Sequence, residues 1–273
     1  MSTYKAKAIV IKTYRFGEAD KIVKLFSLEH GIINSIAKGA FNIKSKFLGR
    51  LELYNIIDAE LSTGRNFDII TQAEIIETFQ NISLDFLKFN YAQILSELIL
   101  KTQSEKSPSG KLFKLFYFSV KKLNLLKESD LLNFKIILIF FLSNFLKIMG
   151  YLPLIKSCSL CGKSNIEIIN KYSRKVYVFS VRFGGLLCEE CLSKYSLKPN
   201  ELGGDVFVFK KEEFEVLENF FTHKFEDIFS IEILNKTADK LFKMLTQYTS
   251  FHFDINLGSV NYIKNIQDKI VNL

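Results

Sequence analysis

The runs Ala6-Lys-Ala-Ile-Val-Ile-Lys-Thr13, Lys21-Ile-Val-Lys-Leu-Phe-Ser-Leu28 and Ile32-Ile-Asn-Ser-Ile-Ala37 follow one another at the start of the chain, divided by Arg15-Phe-Gly-Glu-Ala-Asp20 and by His30-Gly31. They are short, rich in Ile, Val, Phe and Thr, and bounded by the Gly and Asp residues that turn a chain. In the second run Val23 and Leu25 alternate with Lys24, the period of two expected of a strand with one face in a core. Two more runs, Leu51–Leu61 and Phe67–Thr78, follow Lys38-Gly39 and Thr63-Gly-Arg-Asn66. Five strands in the first 80 residues, with a basic face, suit a small closed barrel of the OB type. An SH3-like barrel would leave a similar pattern, and periodicity does not separate the two.

Beyond the strands the period becomes helical. Leu84, Leu87, Tyr91, Ile94, Leu95 and Leu98 step by three and four residues through a helix ending near Lys101. The polar stretch Ser104–Gly110 breaks it, Lys111–Leu126 forms a second helix, and Ser129 or Asp130 caps a third that runs to about Met149. Gly150 and Pro153 stop that helix, whose apolar run Ile136–Leu146 is too short for a bilayer and reads as a buried core helix. After a cysteine-bearing segment, Glu212–Phe221 and Thr237–Phe251 are again helical. The fold class expected is α+β, with four segments: an N-terminal OB-type β-barrel over 1–80, a central helical bundle over 81–156, a four-cysteine zinc-ribbon-like module over 157–195, and C-terminal helices over 196–273 packing on the bundle.

The chain has 273 residues and a net charge of +8. Residues 1–50 hold ten basic and three acidic side chains, so +7 of that charge sits in them. A uniform compositional bias toward lysine would spread the charge; its concentration points to a polyanion partner, nucleic acid above all. No secretory signal opens the sequence and no membrane segment is expected, so the protein is expected in the cytoplasm.

All four cysteines fall in two Cys-x-x-Cys pairs, Cys158 with Cys161 and Cys188 with Cys191, with 26 residues between the pairs. Two such hooks bring four thiolates onto one ion, as zinc prefers. Lys175–Val181 reads as a strand between the hooks, and Gly184-Gly185 turns the chain into the second. An unsecreted chain disfavours disulfides, and two matched pairs disfavour a thioredoxin-like redox motif. Iron or an iron–sulfur cluster is the competing occupant. Four protein ligands leave no open position, so the expected cofactor is one structural zinc per chain.

Catalytic signatures are missing. There is no phosphate-binding Gly-x-x-x-x-Gly-Lys-[Ser/Thr] loop; Gly184-Gly185 and Gly203-Gly204 lack its lysine. The three histidines, His30, His223 and His252, are scattered, and Glu189-Glu190 and Glu212-Glu213 look like solvated faces. A binding protein is expected, not an enzyme.

Three stretches taken together resemble one family. Lys7-Ala-Ile-Val-Ile-Lys-Thr with Phe16-Gly-Glu-Ala-Asp-Lys-Ile-Val, Leu25-Phe-Ser-Leu-Glu-His-Gly and Ile36-Ala-Lys-Gly-Ala is similar to the amino-terminal OB domain of the RecO recombination mediators. Thr71-Gln-Ala-Glu-Ile-Ile-Glu-Thr-Phe agrees further on. So does Gly150-Tyr-Leu-Pro, followed by Cys158-x-x-Cys-Gly and Gly184-Gly-Leu-Leu-Cys-x-x-Cys. The likeness covers about residues 4–195 and is loose beyond residue 200. It implies an OB fold, a helical domain and a zinc module in DNA repair and homologous recombination. It also implies binding of single- and double-stranded DNA, annealing of complementary strands, and loading of the recombinase together with RecR and the single-stranded-DNA-binding protein. Some members of the family lack the cysteines, which agrees with a supporting metal.

An OB barrel grips a nucleic-acid backbone with basic side chains and stacks bases on aromatic ones. The candidates for phosphate contacts are Lys12, Arg15, Lys21, Lys24, Lys38, Lys44, Lys46 and Arg50, the last four on a loop expected over Lys38–Arg50. Arg65, at a hairpin tip, is a weaker one. Phe16, Phe41 and Phe47 are candidate stacking platforms or core. The family implies a surface for the acidic, apolar tail of the single-stranded-DNA-binding protein, and Lys114, Phe118, Lys121 and Lys122 are the candidates for it. The alternative reading is another nucleic-acid-binding OB and zinc-ribbon protein, one associated with RNA.

Overall fold

In the computed structural model the alternating runs close on themselves. The structure describes residues 2–127, 129–164, 168–169, 175–194, 205–222 and 225–263, with backbone alone for 168–169 and 225–226; His223, Gly203-Gly204 and the 195–204 boundary of the cysteine segment lie outside them. The chain divides into two units, residues up to 130 together with those from 257, and residues 131–256.

The first unit contains β1 (Thr3–Phe16), β2 (Asp20–Ser27), β3 (Gly31–Ala37), β4 (Ile56–Ser62) and β5 (Asp68–Glu77). They form a closed barrel in the order β1-β2-β3-β5-β4. Every pairing is antiparallel except β3 with β5, which run parallel. That closed five-stranded arrangement is the OB barrel, which leaves no sheet edge unpaired. A barrel of five strands has a narrow interior, and small side chains fill much of it: Ala6, Ala8, Ala37, Ala59 and Ala73 pack there with Val10, Val23, Leu25, Ile33, Ile57 and Leu61.

The fourth strand is shorter than its apolar run suggests. Leu51–Leu61 reads as one strand, yet pairing begins at Ile56. Tyr54 sits at φ 68°, in the left-handed region where a side chain is strained, so the backbone leaves the extended state there. Residues 38–50 form consecutive turns, with Asn42 N–H to Gly39 O at 3.1 Å, Ser45 N–H to Asn42 O at 2.9 Å and Arg50 N–H to Phe47 O at 3.0 Å. The loop is anchored from inside: Ala40, Phe47 and Leu51 belong to the barrel core. Phe47 is therefore core, not an exposed platform.

The single helix expected after the barrel is two, α1 (Gln80–Leu84) and α2 (Phe86–Thr102). Asp85 breaks them apart: its backbone is extended and its carboxylate accepts the Lys88 N–H at 2.9 Å, capping α2. In α3 (Gly110–Leu125) the Ser109 hydroxyl caps the start. The outward face of β2 is covered by α3, because Phe26 meets Phe113 and Phe116 with ring centroids 5.6 and 5.8 Å apart. Burying a ring of that size stabilises by about 1.5–3 kcal/mol.

The second unit is built on α4 (Leu131–Met149), buried along most of its length. It is the one helix among the described residues long and apolar enough to cross a bilayer, and most of it is enclosed in this unit, the position of a core helix. The short β6 (Ile168–Ile169), β7 (Lys175–Ser180), β8 (Gly185–Leu187), α5 (Glu189–Lys194), β9 (Val206–Lys210), α6 (Lys211–Thr222) and α7 (Asn235–Phe253) complete it. β7 is central, with β6 and β8 along one edge and β9 along the other. The strand and helices read from the sequence over 175–181, 212–221 and 237–251 are present within one or two residues.

Candidate nucleic-acid surface and metal centre

The two hooks meet where the sheet of the second unit turns back on itself. Leu154 bridges to Gly185, and a Cβ on Gly185 would lie 2.3 Å from the Leu154 carbonyl oxygen, so only glycine admits this approach. Ser159 N–H donates to Leu186 O at 2.8 Å, which fixes the first hook beside β8. Gly162, at φ 73°, lets the chain fold under Cys158, and its N–H donates to Cys158 O at 2.9 Å. The second hook opens α5, with Leu192 N–H to Cys188 O at 3.0 Å.

The four sulfurs lie within 4.8 Å of one another, and no disulfide joins them. The Cys161 and Cys188 sulfurs are 3.6 Å apart. Sulfurs bound tetrahedrally at about 2.3 Å sit roughly 3.8 Å apart, so the set has the size of a metal site. Cys158, Cys188 and Cys191 are buried and Cys161 is exposed. Burial opposes the Cys158 thiolate, but N–H groups of Cys188, Cys161 and Leu160 outweigh it and bring its pKa down to about 6. Burial and the neighbouring thiols push Cys191 up to about 12. Cys158 is therefore ready to deprotonate, whereas Cys191 needs a cation beside it to do so. Four cysteines in this geometry can hold one metal ion and leave it no open position.

The basic residues of the barrel fall into distinct places. Lys12 of β1 stands directly opposite Lys24 of β2, and Arg15 opposite Lys21. Lys21 is buried, with its ammonium 3.0 Å from Glu52 and 3.5 Å from Leu51 O. Arg15 donates to Glu18 O at 3.2 Å, and its guanidinium lies 5.4 Å from the centroid of Phe41; the Lys21 ammonium lies 5.2 Å from the same ring. Phe41 and Phe16 are about half exposed, so this end of the barrel presents aromatic rings beside cations. Lys38, Lys44 and Lys46 are exposed on the turns after β3, next to the fully exposed Ile43. Arg50 is also exposed but donates to Ala73 O of β5 at 2.9 Å, which ties it to the barrel wall. Arg65 is exposed at the β4–β5 turn.

On α3, Lys114 and Phe118 are exposed, whereas Lys121 pairs with Glu77 at 3.0 Å and with the Tyr117 hydroxyl at 3.2 Å. The Tyr117 hydroxyl donates to Glu77 at 2.7 Å. Lys122, one residue on, is half-buried. Sequence reasoning misses Tyr14 and Lys101, which join Lys12 and Lys24 around one pocket; Tyr14 is two residues from Lys12, on the same alternation, but Lys101 comes from a helix far along the chain.

A closed OB barrel with a basic surface, followed by helices and a four-cysteine centre, defines a class of nucleic-acid-handling protein. Comparison with known proteins agrees. The profile of the Recombination protein O N terminal domain matches residues 1–79, and that of the Recombination protein O C terminal domain matches residues 83–260. The chain belongs to the RecO family of DNA repair proteins. It is similar to the DNA repair protein RecO of Caldanaerobacter subterraneus subsp. tengcongensis, 28% identical over 98% of this chain and 100% of that one. It is also similar to the protein of the same name from Alkaliphilus metalliredigens, 29% identical over 96% and 99%. That of Nocardioides is 30% identical over 72% of this chain and 77% of its own length.

Proposed function

We propose that this chain is a mediator of homologous recombination in DNA repair. It binds single- and double-stranded DNA on the barrel, anneals complementary strands and helps place the recombinase on protein-coated single strands, working in the cytoplasm with RecR and the single-stranded-DNA-binding protein. The observation that carries this reading is the +7 charge of residues 1–50, most of it on exposed side chains of one OB barrel whose half-exposed Phe41 lies beside the Arg15 and Lys21 cations. Catalysis has no part in the reading. The four cysteines hold one zinc ion that shapes the second unit, as four thiolates favour.

The test is charge reversal at Lys44 and Lys46, which carry no hydrogen bond or ion pair among the described residues. The double variant should bind single-stranded DNA at least tenfold more weakly and with a flatter salt dependence, because fewer counterions are released. Arg50 is varied separately, since it also holds Ala73 O. Unchanged affinity and salt slope would remove the loop from the interface. Annealing of complementary oligonucleotides coated with the cognate single-stranded-DNA-binding protein tests the wider role, and a preference for RNA over DNA in competition would favour an RNA-associated protein instead.

A further inference from the structure

The first unit holds a pocket of about 340 Å³ between the outer face of the β1–β2 hairpin and α2. Lys12, Tyr14 and Lys24 form one wall; Leu100, Lys101 and Glu97 face them from α2. The pairing of β1 with β2 slips between Val10 and Lys12, leaving Ile11 as an extra residue. Without that slip Ile11 would oppose Lys24 and Lys12 would turn toward the barrel interior. A bulge of this kind re-aims side chains, and here it sets two lysines directly opposite each other on the outer face. Like charges in that position repel. Neither Lys12 nor Lys24 has an ion-pair partner among the described residues.

The one carboxylate in the pocket does not relieve them. Glu97 is engaged by Lys101 at 2.8 Å and by the Gly258 and Ser259 N–H groups at 3.0 and 2.9 Å. The pocket thus carries three cations against one committed anion, together with one aromatic ring and one aliphatic side chain, Leu100. Tyr14 is about two-fifths exposed, and the Lys12 ammonium lies 5.1 Å from its ring centroid. A bare phosphate would leave most of this volume unused. A nucleotide matches it in size and in its mixture of anion and flat ring.

We infer that this pocket takes one nucleotide of a single strand, its phosphate between Lys12 and Lys24 and its base against Tyr14 and Leu100. The inference rests on the DNA-binding reading given above and adds strand discrimination to it. A base stacked and paired inside a duplex cannot enter the pocket, so the site favours single strands.

The experiment measures fluorescence anisotropy of an oligothymidylate, of an abasic strand of equal length, and of a duplex, across a salt series. The proteins compared are the unaltered chain, Tyr14→Ala, Lys12→Gln with Lys24→Gln, and the Lys44/Lys46 charge-reversal variant. Tyr14→Ala should lose about tenfold in oligothymidylate affinity, the scale of one base-stacking contact, and keep its salt slope. It should stay within about twofold on the abasic strand and the duplex. The double lysine variant should lose affinity for both single strands, with a salt slope smaller by about 0.7, the share of one phosphate contact. Its melting temperature should hold or rise, because a repulsion between two like charges is removed. If Tyr14→Ala weakens all three ligands equally, or not at all, while the Lys44/Lys46 variant still loses binding, the nucleotide pocket is wrong and the DNA-binding surface stands. If the unaltered chain binds none of the three, both fail.

Discussion

Tyr54 shows how a single residue can be held in a costly conformation. Its φ of 68° costs on the order of 1 kcal/mol or more. Full burial of the ring offsets that cost, as do two hydrogen bonds to its hydroxyl, from Gln93 at 2.9 Å and Ser96 at 3.4 Å on α2. Its N–H also donates to Val10 O of β1 at 2.8 Å. Tyr54→Phe should cost about 1–3 kcal/mol, because the Ser96 hydroxyl is buried and would lose its acceptor. Urea unfolding would read this as a lower midpoint at constant slope. Tyr54→Gly should cost more despite relieving the backbone, because the cavity left by an aromatic ring is worth about 3–5 kcal/mol. Neither the strain nor the partners of Tyr54 were legible in the sequence, where it belongs to the apolar run Leu51–Leu61. A related limit applies to Lys21: alternation puts it on the side of Val23 and Leu25, but only the fold brings Glu52, from beyond β3 and the turns after it, to pair its ammonium.

At the scale of elements, α2 has two jobs. One face packs against Tyr54, and Glu97 holds the chain where a helical turn starts at residue 258. Burial disfavours the charged form of Glu97, but the bonds from Lys101, Ser259 and Gly258 overcome it and keep its pKa below the usual range. A carboxyl lowered in the folded state contributes stability that is complete above its unfolded value, about 4.3, and is lost as pH falls through the folded value. The segment from Leu257 should therefore stay docked at neutral pH and loosen as the solution is acidified below about 4. Hydrogen exchange at Ser259 is the measurement. Glu97→Gln should lower the protection of that amide at pH 7 and leave the remaining protection insensitive to acid; equal protection in both proteins would show that the carboxylate does not hold this segment. The break at Asp85, which splits one periodic apolar stretch into α1 and α2, follows from a capping side chain that periodicity counts do not weigh.

On the scale of the whole molecule, the charge and the metal site belong to different units: the basic barrel to the first, the cysteine cage to the second. Removing the metal with a chelator should lower the melting temperature of the second unit by about 5–10 °C, while oligonucleotide binding by the barrel stays within about twofold. Metal retention should weaken as pH falls, because protons compete with the metal for the four thiolates. Loss of DNA binding in step with the metal would instead make the cage part of the interface. The sequence by itself determined what short spacing can encode. Two Cys-x-x-Cys hooks, the alternation of Val23, Lys24 and Leu25, the helical periods and the crowding of charge into residues 1–50 are all local patterns. The tertiary structure alone decided which of those charges are free and which are paired. Lys21 and Lys24 are three residues apart in one strand; one is buried against Glu52 and the other lines a pocket with Lys101. Alternation puts the two on opposite faces, but the partner each one meets comes from strand register, a one-residue bulge and the packing of distant helices, and these are set by burial of the whole core, not by any residue's neighbours in sequence.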